Sequence, residues 1–408
     1  MTAREYPVFT VTPKAERSLR AGHPWVYGEE VTAVEGAYQN GDMVDVVSNK
    51  GRYLGTGWVN DHSKIRVRII SRNANDTFDE AFFRRRVCYA LNYRKTVMGP
   101  VDYRCCRLIF GEADQFPGLT VDRFENILVT QVLSLGMERR KDWVYRALVE
   151  LLREDGEQID AIYERNDVAI RTLEGLEQGK GFYQMEGLKT DLSGHVTITE
   201  NGIKYDVDYI EGQKTGFFLD QKYNRQAAAK LARGRRVLDC FTHTGAFALN
   251  AAAAGAEHVT AVDVSAFALE LAAENGKRNG LTNLDYKCAD VFDLLTEMAK
   301  EKKCDYDYII LDPPAFTKSR ATAKNAYHGY KEINRKAMQL LPRGGYLATC
   351  SCSHFMTDEM FRKMLQEAAL DAGVTLRQIE ARQQAPDHPI LPEVPETDYL
   401  KFYLLQVV

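Results

Sequence analysis

Along GDMVDVVSNKGRYLGTGWVN, residues 41–60, apolar and polar positions alternate around an Asn-Lys-Gly turn, and SKIRVRII, residues 63–70, alternates again. A period of two with glycine turns predicts short strands, and residues 1–72 read as a small β-barrel. The pattern then changes. TFDEAFFRRRVCYALNYRKTVM (77–98) and ERRKDWVYRALVELLRE (138–154) have helical apolar spacing. RLIFGEADQFPGLTVDRFENILVTQVLS (107–134) reads as a pair of strands around a Pro-Gly turn, and AIYERND, GFYQM and VTITENG read as further strands. Residues 73–198 are therefore expected to form a central α/β domain. From 199 to 408, strand and helix alternate: RRVLDCF, AFALNAAAAG, HVTAVDV, AFALELAAENGKRNG, LDYKCADVF, DYIILDPP, YKEINRKAMQLLPRGG, YLATCSCS. This order predicts a doubly wound parallel sheet, with its ligand outside the carboxyl ends of the strands.

With 45% hydrophobic and 27% charged residues in 408, the composition is that of an ordinary globular chain. No apolar run reaches the length of a membrane span and the first residues lack a signal-peptide core, so a cytoplasmic protein without membrane contact is expected. The eight cysteines form no CxxC pair and no Cys/His set with metal-binding spacing. They are read as free thiols, and no metal is expected. The net charge of −4 is uneven: residues 1–110 hold 17 Lys/Arg against 12 Asp/Glu, and the remainder is acidic. A basic front end on an acidic body suits contact with a polyanion through that front end. Arg17, His23, Trp25, Tyr27, Arg52, Lys64, Arg66 and Arg68 are the expected exposed candidates for RNA, and the Arg84–Arg86 run reads mainly as a solvated helix face.

The chemistry concentrates at strand ends. The first strand runs into VLDCFTHTGAF, where Asp239 precedes a loop holding Thr242, Thr244 and Gly245. The glycine-rich pyrophosphate fingerprint is absent, and an acid at the start of the loop suits a cationic ligand better. Asp263 ends the second strand, where it can accept hydrogen bonds from ribose hydroxyls. Asp290 follows the third, and Asp312 ends the fourth in LDPPAF. A lone terminal Asp is usually a helix cap or turn former; four in succession are harder to attribute to chance. Cys350 and Cys352 lie two apart at the end of a predicted strand. They are either two core thiols or place one thiol beside Asp312. A thiol so placed is a candidate nucleophile for covalent catalysis, with the carboxyl group beside it.

These strand ends resemble those of class I S-adenosylmethionine-dependent methyltransferases. KTGFFLDQ, LDPPAF and SCS, with an N-terminal GHPWVY, resemble over essentially the whole chain the bacterial 23S rRNA cytosine-5 methyltransferases. The resemblance implies a PUA-like domain at 1–72, a central α/β domain at 73–198, and a Rossmann-like catalytic domain with an antiparallel last strand at 199–408. It implies S-adenosylmethionine as cofactor, bordered by Phe217, Phe218, Asp220 and Gln221 together with Asp239, Thr242, Thr244, Gly245, Asp263, Asp290 and Asp312. It makes Cys352 the nucleophile, Cys350 its structural neighbour and 23S rRNA the partner, free or in an assembling particle. A homodimer stays open. Two departures stand out. Ala315 separates Pro314 from Phe316, unlike the signature of enzymes that methylate a base nitrogen. Pro314 also stands where many RNA cytosine-5 enzymes carry a second cysteine, which leaves the base for the carbon-5 proton unassigned; His354 is one candidate. Methylation of a base nitrogen or of guanine, a non-catalytic RNA-binding assembly factor, and a small-molecule methyltransferase are the competing readings.

Overall fold

The computed structural model describes residues 5–301, 304–317 and 319–408, and of Arg320 the backbone alone; Lys318 of the LDPPAFTKSR stretch lies outside them. The chain divides into two compact units. The first holds residues up to 197 with 207–219 and 386–397, and the second holds 198–206, 220–385 and 398–408.

In the first unit, β1 (Val8–Val11), β2 (Trp25–Tyr27), β3 (Val31–Glu35), β4 (Met43–Ser48), β5 (Tyr53–Val59) and β6 (Ile65–Ser71) form one mixed sheet in the order β2-β6-β5-β4-β1-β3. Helix α1 (Pro13–Arg20) follows β1, started by Pro13 and by Thr12, whose hydroxyl accepts from the Ala15 amide. Phe9, Val11, Leu19, Val26, Val44, Val46, Val59 and Val67 share its core.

Next come α2 (Glu80–Val97), capped by the Asp79 side chain, and a second sheet of β7 (Cys105–Phe110), β8 (Leu119–Phe124), β9 (Ile127–Val132), β10 (Ala161–Asn166) and β11 (Gly179–Phe182). Helices α3 (Leu135–Glu138) and α4 (Lys141–Glu154) lie between β9 and β10. The stretch 107–134, expected as two strands, supplies three. Glu125 adopts φ 56°, so Glu125-Asn126 closes a second hairpin without a glycine to announce it.

A hairpin of β12 (His195–Glu200) and β13 (Ile203–Asp208) turns on Asn201 (φ 53°) and Gly202 (φ 80°), the left-handed pair that such two-residue turns require. In the second unit, β14 (Arg236–Cys240), β15 (His258–Asp263), β16 (Leu284–Cys288), β17 (Tyr308–Leu311), β18 (Tyr346–Ser351), β19 (Leu376–Arg382) and β20 (Lys401–Val407) form a seven-stranded sheet. Its order is β16-β15-β14-β17-β18-β20-β19. Strands β14 to β18 run parallel, and β20 is antiparallel to both β18 and β19. The helices of this unit are α5 (Lys222–Ala229), α6 (Ala246–Ala253), α7 (Ala266–Arg278), α8 (Val291–Glu301), α9 (Ala323–Leu340) and α10 (Asp358–Ala372). The expected doubly wound sheet with an antiparallel last strand is thus present. Chain order reverses between β14 and β17, and in such sheets the crevice for a ligand opens at that switch.

One close packing in the first unit leaves no slack. A methyl group at Gly136 of α3 would lie 1.9 Å from Cγ of the buried Trp58. Alanine is the better helix former by about 1 kcal/mol, but overpacking costs about 1–3 kcal/mol. Gly136→Ala is therefore expected to lower stability, measured by urea denaturation; a variant at least as stable as the parent would contradict the packing.

Candidate active site

The crevice at the ends of β14 and β17 is built around Asp239, which is fully buried. Its Oδ2 accepts from the Thr242 hydroxyl at 2.6 Å. Its Oδ1 makes no hydrogen bond of ordinary geometry among the described residues, although the Ala248 amide lends electrostatic support. Burial pushes this carboxyl up to about 7; the charges of Asp312 and Asp263 add to the effect and the Thr242 hydrogen bond opposes it.

The loop after β14 is tightly wound. Phe241 (φ 65°) and His243 (φ 51°) take left-handed backbone, as does Gly245 (φ 83°). A methyl group at Gly245 would lie 2.5 Å from Leu249 and 2.9 Å from Ala272, so both conformation and packing demand glycine. Thr244 is half-buried on the same loop. Asp263, the last residue of β15, binds this loop through its Oδ2, which accepts from the His243 amide, while its Oδ1 accepts from Ser265, both at 2.9 Å. A carboxylate has lone pairs left for further donors. Asp290 lies two residues beyond β16, is exposed, and accepts from the Asp293 amide at the start of α8, which is the geometry of a helix cap.

Asp312, just past β17, accepts from Gln221 Nε2 at 3.0 Å. The Gln221 carbonyl accepts from Asn224 at 2.7 Å, and Asn224 in turn accepts from Arg382 Nε at 3.1 Å. Burial pushes the Asp312 carboxyl up to about 6; the Arg225 cation lowers it and the Asp220 charge raises it. Arg225 is itself buried against Glu200 at 2.6 Å. Asp220 accepts from the Tyr399 hydroxyl at 2.6 Å. The structure thus gathers Asp220, Gln221, Asp239, Thr242, Thr244, Gly245, Asp263 and Asp312 in the second unit. Phe217, which is buried, and Phe218, whose ring lies under Lys214 Nζ at 4.3 Å, belong to the first unit.

The two cysteines have different surroundings. Cys350 is sealed inside β18 and hydrogen-bonds Asp312 and Gln221; burial, then the Asp312 charge, holds its thiol well above the ordinary range. Cys352 follows the end of β18 and is partly exposed, between the buried Ser351 and Ser353. The two thiols of the expected pair thus differ in exposure. Phe316 packs on Tyr330 at 4.5 Å and Phe292 at 5.7 Å. His354 is half-buried beside Phe355, and His388 is buried in the first unit with Nδ1 2.9 Å from Asp387.

Among the front-end candidates, Arg17, Arg52 and Lys64 are exposed. Arg68 is not: it is buried, 2.8 Å from Glu174 and near Glu112, which also accepts from the Trp25 indole. Arg66 pairs with Asp61 and His23 with Glu396. Tyr27 is half-buried beside the Trp25 ring. Arg84 binds Glu150 and Glu154, Arg85 faces Asp76, and Arg86 donates to the Gln115 carbonyl, so this run is engaged within the protein.

Sequence reasoning missed Asn224, Arg225, Glu200, Tyr399 and Lys401 around the crevice. For Lys401 there was a signal: a lone cation opens the apolar run FYLLQVV of the last strand. The others carry none, since their partners are distant in sequence.

The crevice fits a cation with hydroxyl groups, as S-adenosylmethionine requires. Asp239 offers a buried acceptor oxygen, Asp263 keeps acceptor capacity, and Gly245 lets the backbone approach closely.

Comparison with known proteins agrees. Residues 9–72 match the family model of a PUA-like domain, and residues 183–405 match that of an S-adenosylmethionine-dependent methyltransferase. The protein of Pseudoalteromonas atlantica named ribosomal RNA large subunit methyltransferase I is 41% identical over 98% of this chain and 99% of its own. Its namesake from Aeromonas salmonicida is 42% identical over 95% and 96%. Among solved structures, a protein of Streptococcus mutans described as a SAM-dependent methyltransferase superposes with a TM-score of 0.81 at 22% identity, covering 98% of this chain and all of that one, a likeness of fold. SMU.776, a structure complexed with SAH, gives 0.82 at the same identity and coverage. S-adenosylmethionine is the cofactor of this fold and of this chain. The chain belongs to the family of S-adenosylmethionine-dependent methyltransferases with an N-terminal PUA-like domain, to which the proteins named ribosomal RNA large subunit methyltransferase I belong.

Proposed function

We propose that this protein methylates carbon 5 of a cytosine in the 23S rRNA of the large ribosomal subunit, in the cytoplasm, through a covalent adduct on Cys352. The observation that carries the reading is the contrast between the two thiols: Cys350 is sealed and bonded to Asp312, whereas Cys352 is partly exposed. The relatives' names support a large-subunit rRNA substrate. In this reading, residues 1–72 bind RNA, 73–198 form the central domain, and 199–408 carry the chemistry.

Asp239, Thr242, Thr244 and Gly245 would hold the cofactor, with Asp263 at its ribose, Asp290 near its adenine, and Asp220 and Gln221 bordering it. The bound cofactor supplies an electrophilic methyl group. The Cys352 thiolate bonds to carbon 6 of the cytosine, and the electron pair moves toward ring nitrogen 3. With a carboxyl raised to about 6, Asp312 can carry a proton at near-neutral pH and share it with that nitrogen. After carbon 5 is methylated, its proton leaves to a base, the carbon 5–carbon 6 double bond re-forms, and the Cys352 thiolate is released. Gln221, tied to Asn224 and Arg382, fixes the Asp312 carboxylate.

RNA carrying 5-fluorocytosine is expected to form an adduct stable to denaturation with the unaltered protein and with Cys350→Ala, and none with Cys352→Ala. An active enzyme that forms no adduct would point to a base nitrogen or to guanine. Cofactor and RNA binding without turnover on deproteinised rRNA would point to an assembly factor.

A cation binding beside Asp239 favours its ionised form, so binding releases a proton and tightens as pH rises. Calorimetry should show S-adenosylmethionine affinity increasing by up to about tenfold per pH unit below pH 7, with a flatter profile in Asp239→Asn. For the front end, Arg17→Gln is expected to weaken rRNA binding at every sequence and to reduce the slope of log affinity against log salt by about one; an unchanged slope would remove Arg17 from the interface.

A further inference from the structure

The antiparallel ladder between β18 and β20 sets Lys401 directly opposite Ser351. Its neighbours Phe402, Leu404 and Leu405 are core residues, and Lys401 is itself 4% exposed. Burying an ammonium group in such a strand is costly unless it is paired. Yet no carboxylate among the described residues lies within ion-pair distance of Lys401. Instead, Nζ donates to the carbonyl of Ser353 at 2.7 Å and to that of Tyr399 at 2.8 Å.

The first of these carbonyls belongs to the residue after Cys352. The turn carrying Cys352 is therefore held on both sides by one residue: Ser351 by the Lys401 backbone, Ser353 by the Lys401 ammonium. The Ser353 hydroxyl adds contacts with Tyr330 at 3.3 Å and the Thr317 carbonyl at 3.4 Å. A lysine donates three hydrogens, and two carbonyls take two of them.

We propose that Lys401 is a positioning residue for Cys352, clamping its turn and favouring its thiolate by placing an ammonium charge beside it. The proposal rests on the reading of Cys352 as the nucleophile. Burial lowers the Lys401 ammonium to about 8, while the charges of Asp398, the Cys352 thiolate and Asp358 hold it up. Lys401 is therefore cationic at neutral pH and loses its charge just above it. Titratable groups that feel the Cys352 charge include Lys401 on β20, Tyr330 on α9 and Cys350 on β18, the last adjoining Asp312; His354 follows two residues on in the chain, and Asp398 and Asp358 act on Lys401. Of these, Lys401 brings a positive charge at neutral pH, whereas burial raises Tyr330 and Cys350 and keeps them neutral there.

The test is the pH dependence of Cys352 alkylation by iodoacetamide, read by mass spectrometry of the peptide that contains it. In the unaltered protein the midpoint should lie below the value of about 8.5 for a free thiol. In Lys401→Met it should move up by about one unit, making alkylation at pH 7 about tenfold slower. Lys401→Arg, which keeps the charge, should restore most of the shift. A loosened turn without an electrostatic role would change the rate evenly across pH and leave the midpoint in place. A midpoint at or above 8.5 in the unaltered protein, or an equal midpoint in Lys401→Met, overturns the proposal. The first measurement needs no variant and decides even where Lys401→Met fails to fold. A Lys401-dependent midpoint without a 5-fluorocytosine adduct would sink the covalent reading and leave the electrostatic link intact.

Discussion

Two carboxyl groups, Asp239 and Asp312, stand at the ends of adjacent parallel strands, and Asp239 lies in the field of Asp312. Desolvation favours the protonated form of both, and at Asp239 the Asp312 charge adds to it. The surroundings answer this cost in different ways. Thr242 supports Asp239; Gln221, the Cys350 thiol and the Arg225 cation support Asp312. The crevice therefore favours a cation, in keeping with a loop after β14 that lacks the glycine repeats of a pyrophosphate site.

The same crevice sorts the cysteines. A strand turns successive side chains to opposite faces, so residues two apart start on the same side. β18 ends at Ser351, one residue before the second thiol. Cys350 is consequently a strand residue with a core environment, and Cys352 is a turn residue with access to solvent. A difference of one residue in where pairing stops separates a sealed sulfur from a partly exposed one.

Much of this architecture was legible in the chain. The alternation of strand and helix after residue 199 announced the doubly wound sheet, and the recurrence of Asp at strand ends marked the crevice. What local pattern could not show was partnership across long separations. Arg68 reads as an exposed strand cation, but Glu112 and Glu174 bury it. The Glu125-Asn126 hairpin escaped notice because its left-handed residue is not glycine. Asp290 reads like its counterparts at the other strand ends, and one of its oxygens also caps a helix, a second duty the local pattern does not announce. Asn224 and Arg382 gain meaning only once Gln221 is seen to need orienting.

The sheet order has a bearing on how the protein is made. β20 follows every other strand in sequence, yet it is an interior member of the sheet, inserted between β18 and β19. Until it emerges during synthesis, β18 presents an open edge, and the turn at 351–353 lacks the side chain that grips it. The interior place of β20 therefore ties the closing of the sheet to the ordering of the 351–353 turn.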